Sequence, residues 1–351
     1  MSSISSRQRS AGARDLRVVA IGGGTGLSTL LKGLKRYVDG PSAAVENSFR
    51  IAELCAVVTV SDDGGSSGRL RKEFNMLPPG DVRNCIVALS EDEALLAKLF
   101  QHRFEKGGEL SGHSFGNLFL AALTNLTGDF AEAVRLSSEI LATRGHIFPS
   151  TTADIELEAI MKDGSRVRGE TRITASKGRI EELVLVPPGP PPVPQTLDAI
   201  ARADLITIGP GSLFTSLIPN LLVRGISKAT RESSAIKVYI CNLMTQANES
   251  LGRTIADHIR ALNDHAGGQI FDFALINRTP VSSDLKAKYA LEGASQVVAD
   301  LDAIAAMGVC PVLGDYLCED GVARHDTGRL AADLLELVVQ APATKSSSLS
   351  S

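Results

Sequence analysis

RVVAIGGGTGLS (residues 17–28) joins a short β-branched run to a cluster of glycines and then to a periodic segment. Arg17 to Ile21 reads as a buried strand, because a brief apolar run closed by glycines fits a sheet core. Leu27, Leu30, Leu31 and Leu34 recur at helical spacing, so a helix is expected over Leu27 to Tyr37. A second apolar run, LCAVVTV (residues 54–60), follows. Strand, helix and strand at this spacing indicate a parallel sheet with crossover helices. Ligands of such sheets bind at the carboxyl ends of the strands, where the glycine turn falls.

Helical periodicity dominates from Val82 to about Thr143. The texture changes near Pro149. Ile155 to Ile160 alternates, Asp163-Gly164 marks a turn, and Arg166 to Thr174 and Ile180 to Val186 alternate again. That pattern predicts a small antiparallel insert. PPGPPPVP (residues 187–194) closes it as a stiff linker. Buried strands are expected at Leu205 to Ile208, Ile236 to Cys241 and Phe271 to Ile276. Helices are expected at Leu251 to Leu262, Val298 to Met307 and Gly328 to Val339. The expected fold class is α/β: a Rossmann-like, doubly wound, mostly parallel sheet with a helical segment and a small antiparallel β insert. The core would take residues 15–148 and 195–341, and the insert with its linker 149–194. Residues 1–14 and 342–351 would be disordered tails.

The chain has 351 residues, 44% hydrophobic and 22% charged, as in an ordinary globular protein. A net charge of −4, 4% aromatics and no Trp argue against a nucleic-acid partner. The N-terminus has no apolar core of a signal peptide. The longest uncharged stretch, Leu205 to Val223, is broken by Gly209, Pro210, Gly211 and Pro219, so no membrane span is expected. The five cysteines, Cys55, Cys85, Cys241, Cys310 and Cys318, are odd in number and form no CxxC pair. Four lie in or beside apolar runs, as buried free thiols do, and a cytoplasmic location fits best.

Gly22, Gly23, Gly24, Thr25 and Gly26 offer a helix N-terminus to a phosphate or pyrophosphate. No Gly-Lys-[Ser/Thr] ends the loop, so it is not a P-loop. Leu27 stands where the third glycine of a dinucleotide fingerprint would fall. VSDDGGSSGR (residues 60–69) leaves the second strand. Asp62 and Asp63 suit either Mg²⁺ or ribose hydroxyls, and Arg69 and Arg71 suit a phosphate. Asp81, Arg83 and Asn84 are candidates as well, though Asp81 could simply cap a helix starting at Val82. His113 could donate to a phosphate or act as a general acid, and Asn117 is a ligand candidate that could instead simply begin the next helix. Gly211 and Ser212 end one strand and Asn242 another. Arg324 and His325 flank the last helix, which Asp326 or Thr327 could cap. Lys288 and Tyr289 could reach over a base. Small polar residues at several strand ends outline one crevice.

Taken in order, GGGTGLS, VTVSDDGGSSGRLR, LPPGDVRNC, GHSFGNL, IGPGSLFTSLIPNLL, NLMTQ and VARHDT resemble the YvcK/CofD-like family, on its YvcK branch. The likeness runs from about Arg17 to Val339. It implies a Rossmann-like core with an inserted subdomain. It also implies a cytoplasmic regulator of gluconeogenic growth and cell-wall homeostasis that binds UDP-N-acetylglucosamine or UDP-glucose and requires no cofactor. The CofD branch implies the alternative, a phospholactate transferase using a nucleotide diphosphate donor and Mg²⁺, with Asp62 and Asp63 as metal ligands. Gly22 to Gly26, Asp62, Asp63 and Asn84 match the family pocket. Tyr289 and Arg324 match residues implicated in UDP-sugar binding. Oligomeric state stays open.

Overall fold

β1 (Arg14–Gly22) is buried from Arg17's neighbour Val18 onward because a strand flanks it on each side. The structure is a computed structural model and describes residues 14–38, 49–91, 95–105, 108–176 and 178–345. The further strands are β2 (Phe49–Val58), β3 (His146–Pro149), β4 (Glu156–Met161), β5 (Arg166–Arg168), β6 (Ile180–Val186), β7 (Leu205–Ile208), β8 (Ile236–Ile240), β9 (Phe273–Asn277), β10 (Cys310–Gly314), β11 (Leu317–Glu319) and β12 (Ala323–His325). Seven make one sheet in the order β10-β9-β8-β7-β1-β2-β3, and every pairing is parallel. The chain winds outward from β1 through β2 to β3, then returns to β7 and winds the other way. The order therefore reverses between β1 and β7, which makes that boundary the topological switch point.

Helices cover the sheet, so its strands read as continuous apolar runs rather than alternating ones. All four residues of β7 are buried. α1 (Gly24–Leu34) turns Leu27, Leu30, Leu31 and Leu34 inward. α2 (Gly65–Phe74) and α3 (Gly80–Leu89) follow β2. α4 (Leu95–Gln101), α5 (Phe115–Thr127) and α6 (Phe130–Ile140) complete the helical segment. The insert is a three-stranded antiparallel sheet, β5-β4-β6. Its β4 alternates buried and half-buried residues along the strand, as a one-faced sheet requires. The last helix runs Thr327–Lys345, and Asp326 Oδ1 accepts the N–H groups of Gly328 and Arg329 at its start.

Several expectations are corrected. Arg166 to Thr174 is not one strand. β5 ends at Arg168, Gly169 adopts φ +97°, and α7 (Glu170–Ala175) follows. The left-handed backbone at Gly169 cannot continue a strand. β3, β10 and the β11–β12 hairpin are additions that short runs did not signal. Asp81 does not cap the helix it was expected to begin, because α3 starts at Gly80 with Pro79 before it and Asp81 lies inside its first turn. Arg14 opens β1 instead of closing a tail, and residues 342–345 continue the last helix. The remainder of both expected tails lies outside the described residues. Cys55, Cys85 and Cys241 are buried free thiols, whereas Cys310 and Cys318 are free but exposed.

The switch point is closed by backbone packing. A Cβ at Gly26 would lie 2.2 Å from the Pro210 carbonyl oxygen, so the loop after β7 sits directly on the first turn of α1. Gly26→Ala should cost about 1–3 kcal/mol of stability through that overlap. The measurement is the midpoint of denaturant unfolding. An unchanged midpoint would show that the two loops separate freely.

Candidate functional site

A cleft of about 610 Å³ opens over the carboxyl ends of β8, β7, β1 and β2. Gly23, Gly24, Thr25 and Gly26 form its floor after β1, and Ser61 and Asp62 line it after β2. Gly211 and Ser212 line it after β7, and Asn242 to Gln246 after β8. A π-helical turn, Leu213–Leu217, directs Thr215 and Ser216 to the cleft. Such turns occur often at functional sites.

The floor is held by side chains from its neighbours. Gly24 has φ +62°, a conformation that glycine adopts without a Cβ clash. Its N–H is accepted by Asp81. Burial pushes the Asp81 carboxyl up to about 6, even though that hydrogen bond pulls the other way. Asn242 clasps the opposite loop: its Oδ1 accepts from Gly211 N at 3.1 Å and its Nδ2 donates to Gly211 O at 2.7 Å. Gln246 Nε2 donates to Ser212 Oγ at 2.8 Å. Gly22 lies beneath the floor, where its carbonyl accepts from Thr59 N and Asn220 Nδ2.

One end of the cleft is acidic. Asp62, Asp81 and Glu170 line it, and Glu170 comes from α7 of the insert. Burial raises the Glu170 carboxyl well above the usual range, and the charge of Asp62 and a hydrogen bond with it add to the effect. The other end holds Arg324, carried by β12. Arg324 is exposed, and among the described residues its side chain has no ion-pair or hydrogen-bond partner. It is also the one Lys or Arg among the described residues that line the cleft. The Tyr289 hydroxyl accepts the Ala323 N–H at 3.2 Å, so Tyr289 braces the hairpin beside Arg324. His325 Nε2 contacts the Cys241 carbonyl at 3.1 Å, and burial lowers its pKa to about 4.

Of the expected site residues, Gly23, Gly24, Thr25, Gly26, Asp62, Gly211, Ser212, Asn242, Tyr289 and Arg324 converge on the cleft. Asp63, Arg69, Asn84, His113 and Asn117 are not among its lining residues. Asp63 Oδ1 instead accepts the Thr171 N–H and hydroxyl of the insert. Arg69 donates to the Ser111 carbonyl at 2.6 Å. Asn84 Oδ1 accepts from Arg83. His113 is 3% exposed and its Nδ1 lies 3.0 Å from Ser66 Oγ, which also accepts from Asn117 Nδ2. These five tie α2, α3, α5 and the insert together behind the cleft wall. Glu170, Thr174, Thr215, Ser216 and Gln246 line the cleft without having been singled out in the sequence. Gln246 ends the NLMTQ string, the one signal that could have marked it.

This is a doubly wound, Rossmann-like architecture with its cleft at the switch point. Residues 18–317 match the family described as 2-phospho-L-lactate transferase CofD, and the chain belongs to that family. Its relatives place it on the branch of gluconeogenesis factors. The Gluconeogenesis factor of Halalkalibacterium halodurans is 48% identical over 91% of this chain and 95% of its own length. That of Bacillus subtilis is 46% identical, over 92% and 98%. A crystal structure of a upf0052-family protein from Bacillus halodurans superposes with a TM-score of 0.85 at 47% identity, covering 92% of this chain and 99% of that one.

Because the folded state holds a proton on Glu170 that an unfolded chain releases near pH 4.3, raising the pH favours unfolding. Melting temperature should therefore fall from pH 5 to pH 8, and Glu170→Gln should show a smaller fall over that interval. Parallel pH profiles for the two proteins would show that the carboxyl titrates normally.

Proposed function

We propose that the protein is a cytoplasmic regulatory protein that binds a UDP-sugar, UDP-N-acetylglucosamine or UDP-glucose, and supports gluconeogenic growth and cell-wall and cell-shape homeostasis. One observation carries the reading. One cleft spans four strand ends and is lined both by Arg324, which has no ion-pair or hydrogen-bond partner among the described residues, and by the carboxyls of Asp62, Asp81 and Glu170. Backbone donors of a glycine turn and one guanidinium suit a pyrophosphate. The asparagine, glutamine and hydroxyl groups along the wall suit a base and ribose. Similarity to proteins named gluconeogenesis factor supports the physiological part. The free cysteines fit a reducing compartment, and none of the described helices is long and apolar enough to cross a membrane.

The family match also favours a second reading, a CofD-type transferase with Mg²⁺. The Asp62–Asp63 pair does not fit a shared cation, because Asp62 faces the cleft while Asp63 turns to Thr171.

Calorimetric titration with UDP-N-acetylglucosamine, UDP-glucose, GDP and NAD, with and without Mg²⁺, separates the readings. Saturable binding of a UDP-sugar that is recovered intact, in the absence of Mg²⁺, is the expected result. GDP binding that requires Mg²⁺, with no UDP-sugar binding, would favour the transferase. Arg324→Ala should weaken UDP-sugar binding at least about tenfold, the scale of one lost charged hydrogen bond. Wild-type affinity in that variant would remove Arg324 from the phosphate site.

A further inference from the structure

The sheet order polarises the cleft. Arg324 approaches over the β8 end, where His325 touches the Cys241 carbonyl, and the carboxyls lie over the β1 and β2 ends, with Asp81 on the Gly24 N–H and Asp62 after β2. Two to three strand spacings, about 10–14 Å, separate these ends. Beside Asp62, Asp81 and Glu170 a pyrophosphate would find carboxyl groups and no cation, whereas Arg324 is the one Lys or Arg among the described residues that line the cleft, so the pyrophosphate belongs nearer Arg324. The far part of an elongated ligand must then face the carboxyls.

We infer that Glu170, delivered by the insert, is a specificity-determining residue that recognises the hydroxyl groups of the sugar end of the ligand. The inference rests on the UDP-sugar reading and deepens it by giving the ligand a direction and the insert a task. A carboxyl accepts hydrogen bonds from the neighbouring hydroxyls of a sugar. The raised affinity of this carboxyl for protons also lets it donate.

Glu170 is held in place rather than left on a loose loop. Asp63 accepts from Thr171 in the following position, and Asn248 Nδ2 donates to the Thr174 carbonyl at 3.0 Å. A Cβ at Gly169 would lie 2.7 Å from Asp63 Oδ2, so the turn before Glu170 is seated on the core. Farther along, His265 Nε2 accepts the Leu183 N–H at 2.9 Å. A residue fixed from both sides can discriminate geometry.

The test compares UDP with UDP-glucose and UDP-N-acetylglucosamine on wild type, Glu170→Ala and Glu170→Gln by calorimetry. Glu170→Ala should raise Kd for both UDP-sugars at least tenfold and change Kd for UDP less than twofold. The UDP value shows at the same time that the variant is folded. Should Glu170→Ala fail to fold, the near-isosteric Glu170→Gln carries the same comparison. An equal loss for UDP and the UDP-sugars would overturn the inference and put Glu170 at the phosphates. Unchanged affinities would overturn it too. If wild type binds no UDP-sugar, the functional reading falls and takes this inference with it. If wild type binds and the variants match it, the inference alone fails.

Discussion

The contact between the first turn of α1 and the Pro210 carbonyl governs the rest of the architecture. β1 and β7 pair in parallel through Val18–Leu205 to Ile21–Ile208, and beyond them the chain diverges to opposite sides of the sheet. Divergence alone would leave a gap. Gly26 lets the β7 loop settle onto the α1 loop, and Asn242 clasps that loop from the next strand. The crevice floor is thereby fixed by backbone from three strands. Ligand-facing groups can then vary along the walls without moving the floor.

The glycines of the loop carry two duties that a sequence cannot separate. Gly24 supplies a left-handed backbone, but Gly23 and Gly26 are small because Thr59, Asp81 and Pro210 crowd them. Asp81 already occupies the Gly24 N–H, so the helix end is not an empty anion cradle. A bound anion is better served by the later N–H groups of the loop and by Arg324. That arrangement explains why the loop is neither a P-loop nor a complete dinucleotide fingerprint.

The parallel core was legible because its strands are buried on both faces. β7 begins and ends where its hydrophobic run does, and all four of its residues are buried. β3 and β10, at the sheet margins, have four and five residues and mixed burial, too short to stand out from their flanks. The glycine loop, Asp62 and the small residues after β7 and β8 were legible as strand-end chemistry. His113, Asn117, Asn84, Arg69 and Asp63 look equally polar in sequence, yet they satisfy one another or the adjacent chain behind the wall. Pairing between distant segments decides which way such residues face. Glu170 illustrates the converse. It sits in a stretch that alternates like a strand, and only the break at Gly169 turns it into the crevice.

The small core formed by Leu243, Met244, Val281 and Leu285 is separate from the main one, with Tyr289, Leu317 and Ala323 packed against it. The β11–β12 hairpin rests on this patch and pairs over only three residues a strand. Local opening free energy follows buried apolar contact, so this end of the molecule opens far more cheaply than the sheet. By the same principle the amides of the arginine-bearing hairpin exchange sooner than those of the sheet that frames the crevice floor, so this is the part of the wall whose order can change while the fold does not.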